Sequence, residues 1–507
     1  MRDLLAGPTL PQLICIVVFC CVSWLLLSLR KSLSKPRPRS VAILVLGDVG
    51  RSPRMMYHAE SFAKLRFETF LVGYEGSKPV PTLLSLPHVH FLYLSQPPPF
   101  LRKLPFIVSA PIKILQQVLT ILYALLWRIP CPPEFILVQN PPSIPTLALV
   151  WLVGALRGSK VIIDWHNLGY SILALKLGSD HIFVKLAKMF EAYFGRAAHV
   201  HLFVTQAMHG FLVKEWKLQG LKAVLHDRPP AHFHPATAFE IHELFLRISP
   251  SLPVAFLPPH DPPASTPLTR VTSSASPSLR PDRPAVLVSS TSWTEDEDFS
   301  ILLDALSIYE QRARAAHGRL PRVLMFVTGK GPLREPYMRK ARSLQDGEGD
   351  PWQWVHITST WLEPGDYPLL LGSADLGISL HSSSSALDLP MKIVDMFGCG
   401  VPVCALDFAC LSELVIDGTN GVIFQNATGL VDHLENLLEG FPNALNLESL
   451  RASFRLAIDR RSISSREDEG WVWNSWDDNW TRVVRPLVLP DVHGIFELEV
   501  NDTRTRC

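Results

Sequence analysis

Short β-branched runs that end in polar or glycine-rich loops and lead into helical stretches begin at residue 41, stop near 250 and begin again at 285. This alternation predicts parallel α/β units, because parallel strands need helical crossovers to return the chain to the same edge. In the first series the strands are expected at Val41–Leu46, Phe135–Val138 and Val161–Ile163, and in the second at Ala285–Val288, Val323–Val327 and Leu376–Leu380. The interruption at 250–284 is proline-, serine- and threonine-rich, reads as a linker or surface insertion, and buries too little apolar area to order itself. Two Rossmann-like α/β domains, 35–249 and 285–465, are therefore expected to face one another across a cleft with a hinge between them. Ligands of open parallel sheets bind beyond the carboxyl ends of the strands, so chemistry should be sought in the strand-end loops.

The ends differ from this body. Leu4–Leu29 is uncharged and densely apolar from Leu13, long enough to span a hydrocarbon core, and Arg30, Lys31, Lys35, Arg37 and Arg39 follow it. A positive flank on the far side suits an uncleaved anchor, assigned to 1–34, with everything after it on the cytosolic side of the membrane as a single-pass protein. Asn426, Asn479 and Asn501 open Asn-x-Thr triplets and would accept glycans only in a luminal body. Ile107–Leu126 spaces Val108, Ile112, Leu115, Leu119, Leu122 and Leu126 along one helix face, and is either a core helix or an interfacial one. With 48 basic and 47 acidic residues there is no polybasic field for nucleic acid. The eight cysteines form neither CxxC pairs nor a zinc-like alternation with histidine, so reduced thiols and no metal site are expected.

Several loops carry functional groups. Gly47-Asp48-Val49-Gly50-Arg51-Ser52-Pro53-Arg54 leads from the first strand into a helix, with Ser52 as cap and Pro53 at its first position. It lacks the G-x-G-x-x-G spacing and so does not indicate NAD. Asp164-Trp165-His166-Asn167 ends another strand and combines acid, ring and amide groups suited to a sugar. Gly329-Lys330-Gly331-Pro332 ends a strand of the second series. His381-Ser382-Ser383-Ser384 precedes a helix in which Lys392 and Asp395 share a face, so that one helix can meet a diphosphate and a ribose together.

Pro390–Val403, with Glu413–Phe424, resembles the nucleotide-sugar half of GT-B glycosyltransferases. Adding Gly47–Arg54, the Trp-His-Asn segment and Ser290–Phe299 makes the chain, from the anchor to about Leu487, similar to the β-1,4-mannosyltransferases of the dolichol pathway. The resemblance implies a GT-B fold and inverting transfer of mannose from a GDP-mannose donor to lipid-linked chitobiosyl-diphosphodolichol. It also implies an endoplasmic-reticulum location with the catalytic domains facing the cytosol, and no cofactor. Donor contacts would come from Gly329, Lys330, Gly331, His381, Ser382, Ser383, Ser384, Lys392 and Asp395, and acceptor or loop contacts from Gly47, Gly50, Arg51, Trp165 and Asn167. Asp48 is the first choice for the general base that inversion requires, ahead of His166 and Asp164. The acidic Thr294–Asp298 stands where retaining relatives carry cations, and Leu387 replaces the first of their paired glutamates. Trp471–Asp477 resembles the start of a terminal helix, 466–489, that crosses back to the first domain; the tail 490–507 has no counterpart in the family. Two alternatives stay open: a silent scaffold of the same fold that organises other mannosyltransferases of the pathway, and an enzyme with a different nucleotide sugar.

Overall fold

The computed structural model describes residues 38–98, 105–252, 256, 265–271, 276–294, 297–316, 318–347, 351–360, 362–363, 365–381, 387–460 and 475–489. The expected anchor over 1–34, Ser382, Ser383 and Ser384, and the tail 490–507 lie outside these residues. Among the described residues no helix is long and apolar enough to cross a membrane.

Two sheets organise the chain. The first contains β1 (Ser40–Asp48), β2 (Glu68–Tyr74), β3 (Val89–Tyr93), β4 (Phe135–Asn140), β5 (Lys160–Trp165), β6 (Ala197–Phe203) and β7 (Gln219–Val224) in the order β3-β2-β1-β4-β5-β6-β7. β1 lies between β2 and β4 and is parallel to both, so the winding direction reverses there. Val41, Ala42, Ile43 and Leu44 are all fully buried. Helices cover both faces of such a sheet, which is why the strand is continuously apolar rather than alternating.

A short antiparallel hairpin, β8 (Thr269–Val271) and β9 (Pro277–Leu279), precedes the second sheet. It lies inside the segment expected to be an unordered linker. Its order comes from outside itself: Leu268 is buried, and Nδ1 of His242, on the helix Ala238–Ile248, lies 2.8 Å from Thr269 Oγ1.

The second sheet contains β10 (Ala285–Ser290), β11 (Val323–Thr328), β12 (Val355–Thr360), β13 (Leu376–Ser379), β14 (Val403–Leu406) and β15 (Gly421–Phe424), in the order β12-β11-β10-β13-β14-β15. Every pairing is parallel. Ala285 and Leu287 join a core with Leu302, Leu306 and Leu434, while Val286 and Val288 join another with Phe245, Ile393 and Phe397. The period-two alternation of the strand thus serves two apolar layers. All six strands read from the sequence are present; most extend one or two residues further, because polar residues such as Asp48, Asn140 and Thr328 still pair in the sheet.

By contact density the chain forms two compact units. Among the described residues, the first takes in those up to Trp165 with Lys185–His201 and Leu218–Leu221, and the second holds His166–Val184, Leu202–Lys217 and those from Lys222. Within the second unit the helix Trp476–Val483 starts with a Ser475/Asp478 capping box and buries Trp476 and Trp480. Asn479 on that helix is also buried and donates to the His226 carbonyl at 2.8 Å, so the folded chain cannot carry a glycan there.

Candidate functional site

Reversal of strand order opens a crevice beyond the carboxyl ends of the two central strands. In the first sheet the loop after β1 occupies that position. Asp48 accepts hydrogen bonds from Gly50 N (3.0 Å), from Ser77 N (2.8 Å to Oδ2) and from Ser77 Oγ (2.9 Å). A Cβ on Gly50 would collide with the Ser77 carbonyl, so glycine is required for the two loops to meet. Arg51, exposed, lies 3.6 Å from Asp48, and Gly47 sits partly open at the end of β1. Partial burial pushes the Asp48 carboxyl up, but the Ser77 and Gly50 hydrogen bonds and the Arg51 charge outweigh it, and the net shift is downward. This carboxylate stays ionised and well occupied. Ser52 does not cap the next helix as expected: its hydroxyl turns back to the Asp48 carbonyl, 3.2 Å away.

At the end of β5 the structure separates residues that the sequence groups. Asp164 is fully buried; Arg54 donates to both its oxygens, at 2.8 and 2.9 Å, and His58 Nε2 lies 3.2 Å away. Trp165 is also fully buried, with its indole N–H donating to His201 Nδ1 at 3.2 Å. The expectations that Asp164 serves as a base and that Trp165 offers a ring face to sugar are therefore corrected: neither has a solvent-facing surface. Two successive residues of a buried parallel strand project into opposite covered layers, and no linear motif reveals that. Asn167 bonds the next backbone N–H, of Leu168, at 2.7 Å. His166 and Asn167 remain partly exposed.

The second sheet supplies a denser constellation. Asp395, on the helix Met391–Gly398, faces Tyr367, whose hydroxyl donates to its Oδ2 at 3.4 Å and lies 3.1 Å from Ser290 Oγ. Thr328 Oγ1 donates to Ser290 Oγ, at 3.1 Å, so the ends of β10 and β11 converge on the same point. The residue keeps a partly open surface, yet protein atoms ring the carboxyl and desolvation pushes its pKa up to about 8. The Tyr367 hydrogen bond works in the opposite direction, and the charge of Asp227 adds to the rise. One turn back, Lys392 Nζ donates to Glu297 Oε1 at 2.8 Å. Glu297 is nearly buried and is held through its other oxygen by the Thr291 hydroxyl and, at 3.3 Å, by Ser292 N. The acidic run after β10 thus contributes a specific partner for the lysine.

Gly329, at φ +125°, and Gly331 let their loop approach its neighbour closely. A Cβ on either would strike the backbone of Thr291 or Ser292, so their close approach is to the neighbouring loop, leaving Lys330 exposed at the tip. His381 bridges to Glu297 in the backbone and lies 3.9 Å from Asp388. Tyr367 and Ser77 escape sequence reading, since each lies at least 28 residues along the chain from the carboxylate it bonds.

Two doubly wound parallel sheets, with a lysine and an enclosed carboxylate on one helix at the second switch point, define a glycosyltransferase of the GT-B fold. Residues 283–440 match the family described as glycosyl transferases group 1. The chain belongs to the chitobiosyldiphosphodolichol beta-mannosyltransferase family. It is 42% identical over 462 residues to the human protein of that name, covering 89% of this chain and 93% of that one. It is 39% identical to the Yarrowia lipolytica protein of the same name, covering 90% and 88%, and 40% identical to the Arabidopsis thaliana protein named UDP-glycosyltransferase TURAN, covering 90% and 98%. Among solved structures, sucrose-phosphate synthase from Thermosynechococcus elongatus aligns with a TM-score of 0.54 at 12% identity, covering 88% of this chain and 97% of that one. Anabaena HepE in complex with UDP and glucose aligns at 0.52 with 14% identity, covering 84% and 100%. These two establish a shared fold.

Proposed function

We propose that the chain transfers mannose from GDP-mannose to chitobiosyl-diphosphodolichol with inversion, forming a β-1,4 linkage at the cytosolic face of the endoplasmic-reticulum membrane, with residues 1–34 as its anchor. The observation that carries this reading is the Asp395 and Lys392 pair, one turn apart on one helix, in a member of this family. Ribose hydroxyls would donate to the Asp395 carboxylate, while Lys392, released from Glu297, and Lys330 would meet the diphosphate. His381 and the Ser382–Ser384 run would complete the phosphate contacts. Residues 35–249 would receive the acceptor, with Gly47, Gly50, Arg51 and Asn167 in the loops that face it.

In a single displacement the acceptor hydroxyl attacks the mannose anomeric carbon, the bond from that carbon to the phosphate oxygen breaks with its electron pair leaving on GDP, and the hydroxyl proton passes to a base. A base works best when its pKa lies near the working pH. Asp48 is drawn the other way and its oxygens already accept three donors, which supports a role in shaping the loop. His166, partly exposed at the end of β5, becomes the preferred base. Asp164 and Trp165 position the strand end rather than touch substrate.

The test is transfer of labelled mannose by the detergent-purified full chain to a chitobiosyl-diphospho-lipid. UDP-sugars are run in parallel, because one close relative carries a UDP name. Transfer from GDP-mannose alone is expected; silence with every donor in a folded sample would favour the scaffold. His166→Ala should lower kcat about 100-fold or more, the range for a lost general base. Unchanged turnover of His166→Ala beside a large loss in Asp48→Asn would return the role to Asp48.

The topology has its own check. Asn426 is exposed at the cap of the helix Ala427–Leu438. No glycan is expected at Asn426 in cells, and its attachment would place the body in the lumen.

A further inference from the structure

The first unit exposes large apolar side chains on three adjoining helices: Phe106–Tyr123, Thr146–Arg157 and, from residue 185 onward, Ile182–Gly195. On the first, Leu115 and Leu119 are each 58% exposed; on the second, Trp151 is 50%; on the third, Met189 is 68% and Tyr193 75%. The first helix packs against the second, and Trp151 meets Phe194 of the third edge to face, with ring centroids 6.2 Å apart. Single exposed leucines are ordinary, but a run of them across neighbouring helices marks an interaction surface.

Charge on these helices is one-sided. Together with the turn Ala124–Arg128 they carry Lys113, Arg128, Arg157, Lys185 and Lys188, against one carboxylate, Glu191. Glu191 is fully buried and accepts from Asn140 Nδ2 at 2.6 Å. Arg157 turns inward onto the Leu125 and Ile129 carbonyls, while Arg128, Lys185 and Lys188 are exposed, so the helices show solvent an apolar surface bordered by cations, with no exposed acid of their own. A second copy of the chain would bring like charges together across such a face. A bilayer with anionic lipids supplies both an apolar interior and a complementary charge.

We propose that this face of the first unit lies in the interfacial zone of an anionic bilayer. Leucine and methionine side chains enter the acyl boundary, tryptophan and tyrosine keep their polar edges at headgroup depth, and the lysines reach the phosphates. Docking there fixes the height of the loop after β1, in the same unit, above the membrane surface. The purpose of the contact rests on the lipid-linked acceptor proposed above, but its test requires no turnover.

The full chain, reconstituted in phosphatidylcholine vesicles with or without phosphatidylserine, would carry a benzophenone-bearing phenylalanine analogue at Leu119, at Met189 or at Leu445. Leu445 is 84% exposed on the second unit and serves as the control. Irradiation should yield lipid adducts at Leu119 and Met189 at least fivefold above the Leu445 level. Omitting phosphatidylserine, or combining Lys185→Glu with Lys188→Glu, should reduce them several-fold. Adducts no higher than at Leu445, adducts indifferent to phosphatidylserine, or cross-links between protein copies in place of lipid would each overturn the proposal.

Discussion

Asp395→Asn is expected to raise the thermal midpoint of the chain and to weaken GDP-mannose binding at least tenfold. The two effects have one origin. Desolvation pushes the enclosed carboxyl up to about 8 in the folded chain, from an ordinary value of 3.8. Between these values the folded state holds a proton that the unfolded state has released, so stability falls as pH rises through the window from about 4 to 8. Asparagine does not titrate, keeps an acceptor for the Tyr367 hydroxyl and escapes that loss. Its advantage should grow between pH 5 and pH 8, reaching at least about 2 °C, since 1 kcal/mol moves the midpoint of a domain this large by roughly 2–4 °C. Donor binding runs the other way, because a hydrogen bond to a charged acceptor contributes about 1.5–3 kcal/mol against about 0.5–1.5 for a neutral one, and two ribose hydroxyls would each lose that difference. Wild-type affinity should tighten as pH rises from 6.5 toward 8 and then level off, while the variant stays flat. Calorimetric titration with GDP-mannose and thermal scans at both pH values measure the two halves. A midpoint difference independent of pH would remove the raised carboxyl from the account, and unchanged affinity would remove the ribose role.

The largest stability loss is expected at Arg54→Leu. Arg54 and Asp164 are at most 4% exposed in their side chains, and two parallel hydrogen bonds join them. Removing the guanidinium leaves a buried charge in the core of the first sheet without the cation that bonds both its oxygens, and breaking a buried pair from one side costs about 3–5 kcal/mol. The paired change Arg54→Leu with Asp164→Leu should recover much of that loss, since the desolvation cost of both ions disappears together. Denaturant midpoints of the first transition distinguish the cases. If the single and double variants were equally unstable, volume and packing rather than charge would govern the site.

How far the sequence could be read varies between these sites. Lys392 and Asp395 were legible because both lie on one helix, where a spacing of three fixes a common face. Asp48 was legible as a strand-end residue, but its engagement by Ser77 was not, because that contact joins loops 29 residues apart. Asp164 and Trp165 read as a functional pair and proved to be buried. A strand covered on both faces gives no periodic signal of which residues reach solvent.

Local grammar alone determined the two α/β series, the strand positions and the helix face shared by Lys392 and Asp395. These rest on backbone periodicity and turn chemistry, which act over a few residues. Tertiary structure decided which polar groups are partnered: Glu297 on Lys392, Tyr367 beside Asp395, Arg54 on Asp164. It also left the apolar faces of three helices uncovered. Those outcomes depend on desolvation and on contacts between distant segments, and both arise only when each sheet brings the loops at its own strand ends together.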